Sequence, residues 1–510
     1  MGRTMRGVLI ALACALVLVG LNGSPSEARG LKKITKISRV AQDWYHGKLK
    51  VSWRGAKGVT YQMRYAASPS ALSTAPARWT GTSRGTYTQT LDRGKTWFFQ
   101  VRAFKKGIVG PWSRIRQLRF VNRWPGTPVP TATRLPGAVQ FNWNLTPNAS
   151  RYRVRWSPAW YGGWPGAATY TSENWLSQYI RSSTFTVPTT PRPGDGMLAV
   201  PYANPVFGQV QANNAYVTSQ TATHLSKWVV AWPKAPAPAP GDPVRLGAYN
   251  VMLNPTGARA QAVAHNISSH NLTMVALQEA SDKTATALLG YLGSSWRAVS
   301  TSSNSQQILY RSDLFTAQSS GAFNVDNPRS PSTPVITPWA RFAHKNQVSG
   351  DSQSFYVVSA HFTEDASKSA MARNADTGDN ARQTMAAINQ INYAGEPTIV
   401  AGDLRYGREP WGDVPGYVPA QPTFVRSGYY DAMASQAMHG NTYSTVNSIA
   451  GKPTARQAPN AAGLGPRSDY ILMKGITGSK SYYNIANWSY NGTVPTDHNL
   501  IFSDILIPTR

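Results

Sequence analysis

Between Leu31 and Trp232, apolar and polar positions alternate in short runs that are rich in aromatic and β-branched residues and broken by Gly, Pro and Ser. A period of two predicts strands rather than helices, because successive side chains of a strand point to opposite faces. Two passages repeat. Leu49-Lys-Val-Ser-Trp53 followed by Tyr61-Gln-Met-Arg-Tyr65 is echoed by Val139-Gln-Phe-Asn-Trp143 followed by Tyr152-Arg-Val-Arg-Trp156. Each pair is predicted to form neighbouring strands whose alternate aromatics face a core. A weaker echo links Trp97-Phe-Phe-Gln-Val-Arg-Ala103 and Gly110-Pro-Trp-Ser113 to Val206-Phe-Gly-Gln-Val210 and Leu225-Ser-Lys-Trp228. Lys234-Ala-Pro-Ala-Pro-Ala-Pro240 then predicts an extended, semi-rigid linker of about 3 Å per residue. Beyond it, short apolar runs alternate with Ala-rich helical stretches at Ala258 to Ser269, Lys283 to Leu292 and Asn380 to Ile391, which predicts an α/β or α+β domain.

The apolar runs of this last region end in chemistry. Val244-Arg-Leu-Gly-Ala-Tyr-Asn250 ends in an amide, and Met274-Val-Ala-Leu-Gln-Glu279 in a carboxylate. Phe355-Tyr-Val-Val-Ser-Ala-His361 and Pro397-Thr-Ile-Val-Ala-Gly-Asp403 end in an imidazole and a carboxylate. Ser468-Asp-Tyr-Ile-Leu472 carries Asp469, and Thr496-Asp-His498 precedes the run Leu500 to Phe502. Taken singly, an acidic residue after a strand is most simply a turn residue or a helix cap. Taken together, one amide, four carboxylates and two imidazoles at strand ends are what phosphodiester hydrolysis needs. Oxygen ligands hold Mg²⁺ or Mn²⁺, the cation offsets phosphate charge, and an imidazole activates water.

Length, cysteine and charge each alter this picture. A chain of 510 residues predicts two to four domains. Arg3 and Arg6, the apolar run Gly7 to Gly20 and the small, polar stretch Ser24 to Ala28 predict a signal peptide cleaved near Ala28, and hence a secreted protein without a transmembrane segment once it is removed. The only cysteine, Cys14, lies within that apolar run, which excludes disulfides, cysteine nucleophiles and thiolate-bound metals from the mature chain. The formal charge of +28 is uneven. From Val244 onward there are 20 Lys or Arg against 17 Asp or Glu, leaving +3, and the other 31 basic and 6 acidic residues put +25 on the N-terminal half. The N-terminal modules are therefore the part suited to an anionic partner: nucleic acid, an acidic cell-surface polymer or a membrane surface. A solubility device is the plainer reading of the same charge.

The repeated strand passages, with their late Val-Arg-Ala and Gly-Pro-Trp-Ser, resemble fibronectin type III modules. The match is closer for residues 31–121 than for 124–232, where Trp156 to Gly194 is longer and richer in Trp, Tyr and Gly than such a module requires. The order of strand-end residues resembles the endonuclease/exonuclease/phosphatase superfamily, over essentially all of Val244 to Arg510, with further similar stretches at Gln307-Ile-Leu-Tyr-Arg311 and Pro338-Trp-Ala-Arg341. The implied organisation is a signal peptide (1–28), two all-β immunoglobulin-like sandwiches, a linker (233–243) and an α/β four-layer sandwich of two packed sheets flanked by helices (244–510). The resemblance implies Glu279 as principal metal ligand, with Asn250 and Asp497 completing the shell. It implies His498 as general base oriented by Asp469, His361 as donor to the scissile phosphate, and Asp403 positioning the nucleophile or a second metal.

One position departs from the family pattern. Gly402-Asp-Leu-Arg405 places a long cation where the family has a short amide. Either Arg405 reaches the phosphate, or the site is impaired and the domain only binds phosphate compounds. Three functions are therefore expected to compete: a secreted nuclease acting on extracellular nucleic acid, a lipid or sugar phosphoesterase, and a secreted binding protein. No organic cofactor is called for.

Overall fold

A computed structural model describes residues 31–43, 48–80, 85–92, 94–119, 124–157, 180–187, 206–214, 226–227, 229–300, 303, 305–345, 353–405, 419–441, 443–446, 467–486 and 489–509. The expected signal peptide and much of the Trp156 to Gly194 stretch lie outside these residues. The chain divides into two compact units, Met1–Trp124 and Pro125–Arg510.

The first unit is built from β1 (Ile37–Asp43), β2 (Lys48–Trp53), β3 (Thr60–Ala66), a short helix α1 (Pro69–Thr74), β4 (Arg78–Trp79), β5 (Thr86–Thr90), β6 (Thr96–Lys105), β7 (Ile108–Val109) and β8 (Arg116–Arg119). One sheet is ordered β1-β2-β5, the other β4-β3-β6-β7 with β8 also paired to β6. The period of two is visible in burial. Leu49, Val51 and Trp53 point inward while Lys48 and Lys50 stay exposed, and Tyr61 and Met63 of β3 meet Phe99, Val101 and Ala103 of β6 in the same core.

The second unit begins with β9 (Pro130–Leu135), β10 (Ala138–Trp143), β11 (Arg151–Ser157), β12 (Thr184–Val187), β13 (Val206–Asn213) and β14 (Val229–Ala231), in sheets ordered β12-β10-β9 and β11-β13-β14. The sequence repeat is a structural repeat. Trp53 packs edge-on against Tyr61 at 5.4 Å, and Trp143 against Tyr152 at 5.5 Å. Each tyrosine hydroxyl accepts a backbone N–H from the preceding loop, of Ala56 in one case and Thr146 in the other. The weaker echo holds as well. Ser113 N donates to Val101 O and Ser113 Oγ accepts from Val101 N, as Ser226 does with Val210.

The rest of the unit comprises β15 (Gly241–Asn250), α2 (Gly257–Ser269), β16 (Met274–Gln278), α3 (Asp282–Leu292), β17 (Trp296–Ala298), β18 (Gln306–Arg311), β19 (Phe315–Val325), β20 (Val335–His344) and β21 (Phe355–His361). It continues with α4 (Ala370–Ile391), β22 (Thr398–Asp403), α5 (Ala420–Arg426), β23 (Tyr430–Asp431), β24 (Ala437–His439), β25 (Asp469–Lys474), β26 (Ser479–Ile485) and β27 (Leu500–Pro508). A seven-stranded sheet is ordered β17-β18-β16-β15-β27-β26-β24, and a six-stranded sheet β19-β20-β21-β22-β25-β23. Leu246, Met274 and Ile308 of the first share one buried cluster with Phe342, Val357 and Ile399 of the second. Val263 and Ile267 of α2 and Leu288 of α3 cluster with Val275 and Leu309 of the seven-stranded sheet. Ile388 of α4 and Phe424 of α5 cluster with Val358 and Val400 of the six-stranded one. Each such side chain, fully buried, contributes about 1.5–3 kcal/mol.

Two boundaries differ from expectation. Helix α4 starts ten residues before the predicted Asn380, where Ser369 caps it by accepting a hydrogen bond from Ala372 N. The strand predicted from Val244 starts at Gly241, and the Pro/Ala run before it is packed rather than free. Trp232 and Ala235 are buried in the cluster shared by the two large sheets. Ala235 N donates to Ala434 O, Ala239 N to Thr477 Oγ1, and Lys234 exchanges backbone bonds with Leu135 and Gly137. Arg134 of β9 donates to Trp232 O and to Ser435 O. Proline dictates an extended path, but the apolar residues along that path decide that it is covered.

Candidate active site

Strand register assembles the site. β21 and β22 run parallel with His361 opposite Asp403, and β22 and β25 run antiparallel with Asp403 opposite Asp469, so these three side chains stand in one row across the six-stranded sheet. In the other sheet β15 and β16 run parallel, with Asn250 opposite Gln278 and Glu279 following directly. The two rows meet. Asn250 Nδ2 donates to Asp403 Oδ2 at 3.1 Å across the sheets and to Glu279 Oε1 at 3.2 Å. Just below, Gln278 Nε2 donates to Ser359 Oγ at 3.0 Å, and Ser359 Oγ donates to Leu277 O. Gly402 permits this approach, because a Cβ there would lie 1.9 Å from Ala360 O and 2.8 Å from Gln278 Nε2, and its φ is 149°.

His498 enters beside β27. Its Nδ1 faces Asp469 Oδ2 at 2.9 Å, and its Nε2 lies 3.8 Å from Asp403 Oδ2. Thr445 Oγ1 accepts the backbone N–H groups of Ser468 and Asp469, and Thr496 Oγ1 donates to Asn250 O, which ties the His498 segment to the end of β15. His361 Nε2 lies 3.7 Å from Asp403 Oδ2 and 4.0 Å from Glu279 Oε1, is buried, and has no hydrogen-bond partner. A buried nitrogen without a partner calls for an explanation, and a ligand oxygen at this position would provide one.

Arg405 follows the row in a left-handed conformation, with φ of 63°. Its backbone N–H bonds Asp403 Oδ1 at 2.9 Å, and its Nε donates to Phe362 O at 3.2 Å. Glu279 is also left-handed, with φ of 57°, and its Oε2 accepts from Leu253 N. Hydrogen bonds and close approaches therefore join Asn250, Glu279, His361, Asp403, Arg405, Asp469 and His498 into one network, and partly exposed Asp497 adjoins it through Thr496. Thr445, Gln278 and Ser359 belong to the supporting structure and were not anticipated. Gln278 is adjacent to Glu279 in a strand with no exposed position, and that polar residue in an apolar run was the available signal. Thr445 lies in no recognisable pattern.

Charge is distributed unevenly. Burial pushes the Asp403 carboxyl up, but the His498 and His361 imidazoles and the Arg405 guanidinium outweigh it and hold it below the usual carboxylate range. Burial holds His361 below the ordinary imidazole value, reinforced by Arg405 and His498 against the pull of Asp403 and Glu279. Burial also pushes His498 down, yet Asp469, with Asp403 and Asp497, raises it to about 10. Asp469 is pushed up by its own burial, against the pull of His498. His361 is thus neutral and His498 cationic at neutral pH.

The donors suit a hard cation in kind, being carboxylates, an amide and imidazoles without thiolate. Their arrangement is less complete. Among the described residues no three His, Cys, Asp or Glu side chains are grouped to hold a metal. Asn250 turns its Nδ2 toward Glu279, while its Oδ1 accepts from Met252 N. Among the described residues, no helix is long and apolar enough to cross a membrane.

No family model and no curated protein matches the chain. Among solved structures it is similar to an endonuclease/exonuclease/phosphatase from Bacteroides vulgatus, 19% identical over 52% of this chain and 100% of that one, with a TM-score of 0.39. It is similar to a Bacteroides thetaiotaomicron mannosyl-6-phosphatase, 16% identical over 52% of this chain and 99% of that one, with a TM-score of 0.40. A third similar structure is D. rerio TDP2 complexed with single strand DNA product, 16% identical over 52% of this chain and 98% of that one, with a TM-score of 0.36. The solved structures similar to about half of this chain thus include ones named as endonuclease/exonuclease/phosphatase family proteins.

Proposed function

We propose that the chain is a secreted phosphoesterase that cleaves phosphodiesters in extracellular nucleic acid, with 244–510 as an endonuclease/exonuclease/phosphatase domain behind two fibronectin-like modules. The observation that carries this reading is the convergence of two strand-end rows on Asp403, with the unpartnered His361 Nε2 beside it. A phosphate oxygen is the acceptor that His361 lacks, provided Nε2 carries the ring proton. Asp403, ionised and fixed by Asn250 and Arg405 N, orients an attacking water. His498, aligned by Asp469, holds or moves a proton at Nε2. Arg405 adds permanent positive charge for the phosphate. A divalent cation, Mg²⁺ or Mn²⁺, would be held by Glu279 with Asn250 and Asp497, and when bound it supplies charge neutralisation for the phosphate.

A second reading has one observation in its favour. Arg405 is tied back to Phe362 O in a conformation that disfavours a long side chain, which suits a phosphate-binding protein without turnover. The deciding experiment incubates the purified chain with plasmid DNA, RNA, a generic phosphodiester, a sugar phosphate and sphingomyelin, each with Mg²⁺, Mn²⁺ or chelator. Nucleic-acid hydrolysis that needs the cation and disappears in His498→Ala is expected. Hydrolysis of sphingomyelin or the sugar phosphate alone would move the substrate class, and turnover of none of them would leave the binding reading.

A further inference from the structure

The first unit carries a charge imbalance that the C-terminal chemistry does not use. Residues 31–124 hold 20 Lys or Arg and two acidic residues, Asp43 and Asp92, and Asp92 is engaged by Lys95 at 2.8 Å. The sheet β4-β3-β6-β7 turns Tyr61, Met63, Phe99 and Val101 into the core, so alternation puts Gln62, Arg64, Gln100, Arg102 and Phe104 on its other face. Trp79 pairs with Gln62 and Gln62 with Arg102, forming one row across three strands.

That face is preorganised. Arg64 and Arg102 both lie over the Trp112 ring, with guanidinium carbons 4.3 and 4.4 Å from its centroid. Arg64 Nε and Nη2 donate to Gln100 Oε1, its Nη1 donates to Ser73 O, and Arg102 Nε donates to Gln62 Oε1. Every one of these acceptors is neutral, and among the described residues no acidic side chain pairs with either guanidinium. Burial lowers the Arg64 value and Arg102 lowers it further, as expected for two cations held together. Beside them Trp79 is 53% exposed, its ring edge-to-face with Phe104 at 5.0 Å.

We propose that this face of the first unit binds single-stranded nucleic acid, with Arg64 and Arg102 meeting phosphates and Trp79 stacking on a base. Fixed guanidiniums beside an exposed indole match a polymer that alternates phosphate with aromatic rings. A duplex hides its base faces, and an acidic wall polymer or an anionic bilayer has none, so for those partners Trp79 would be idle. None of these residues belongs to the chemistry of 244–510, so this binding role does not depend on it.

The test uses the full-length chain in chelator, with a fluorescein-labelled oligothymidylate of roughly 20 nucleotides followed by anisotropy, long enough to span more than one binding unit. Trp79→Ala should weaken binding about tenfold, and Trp79→Phe much less. Arg64→Gln with Arg102→Gln should flatten the salt dependence by about 0.7 in log–log slope for each phosphate that the variant no longer neutralises. Hydrolysis of a small phosphodiester should be unchanged in all of these variants. Unaltered oligothymidylate binding in both the Trp79 and the arginine variants would overturn the proposal. So would a Trp79→Ala chain that retains affinity while linear polyphosphate or anionic vesicles compete as well as the oligonucleotide, which would assign the face to acidic polymers or membranes.

Discussion

The guanidinium of Arg467 lies over the ring of Trp232, 5.9 Å from its centroid, although 235 residues separate them in the chain. Arg467 is buried, makes two bonds to Asp431 at 3.0 and 3.2 Å, and stacks on Tyr470 at 4.2 Å. Two residues later the chain reaches Asp469, the partner of His498. A tryptophan at the foot of the Pro/Ala run thus packs under a buried ion pair that adjoins the candidate site.

Trp232→Ala is therefore expected to destabilise the second unit by about 3–5 kcal/mol, the cost of emptying a large core site. Denaturant unfolding of the full chain, compared with Trp232→Phe, checks this. A fragment starting at Val244 lacks both Trp232 and Ala235 and should unfold at lower denaturant than one starting at Pro125. Equal midpoints would mean that the run is a passive tether.

The His498–Asp469 pair predicts a titration. With His498 raised to about 10, its ring stays protonated through neutral pH, and imidazole nitrogen NMR should show this directly. Asp469→Asn removes the largest raising influences and leaves burial opposed only by Asp403 and Asp497, so the value should fall from about 10. The sign for stability follows. A folded value above the unfolded one of about 6.5 means that the imidazolium's contribution is full below pH 6.5 and is lost as pH rises toward about 10. Asp469→Asn should flatten that slope in denaturation measured at successive pH values.

Arg405→Asn should move stability and activity in opposite directions. Asn tolerates the left-handed backbone at φ 63° better than Arg, so stability should rise by up to about 1 kcal/mol. If Arg405 serves the phosphate, kcat/KM should fall about 10- to 100-fold, the usual weight of one charge-assisted hydrogen bond. A rise in kcat/KM would show instead that the arginine obstructs the site.

The sequence carried local order well and long-range order poorly. The alternation of Leu49, Val51 and Trp53 with lysines and serine is legible because burial on one sheet face imposes it residue by residue. The strand-end positions of Asn250, Glu279, His361 and Asp403 are legible for the same reason, since apolar runs announce where each strand stops. Three features are not. The register that sets His361, Asp403 and Asp469 side by side depends on pairings between distant strands. The cover over Trp232 comes from Arg467, 235 positions away. The left-handed backbone at Glu279 and Arg405 is imposed on residue types that do not prefer it, through bonds to Leu253 N and Asp403 Oδ1.

Cation binding is the remaining test of the site, and it can be read without a substrate. Glu279 is partly exposed, and its oxygens accept from Asn250 Nδ2 and Leu253 N. A divalent cation would compete with those donors, and the amide would have to present its oxygen instead. Binding energy is therefore partly offset by that rearrangement, and affinity should be modest. Even so, Mg²⁺ or Mn²⁺ at about 100 times its dissociation constant should stabilise the folded chain by about 2.7 kcal/mol. Thermal melting against cation concentration measures this, and chelator should reverse it. Glu279→Gln, which keeps the shape but removes the charge, should abolish the shift, whereas Lys283→Gln, on helix α3 outside the network, should leave it intact. A melting temperature indifferent to either cation would remove Glu279, Asn250 and Asp497 from the role of metal ligands, and would leave His361 and His498 around Asp403 as a phosphate-binding arrangement that works without one.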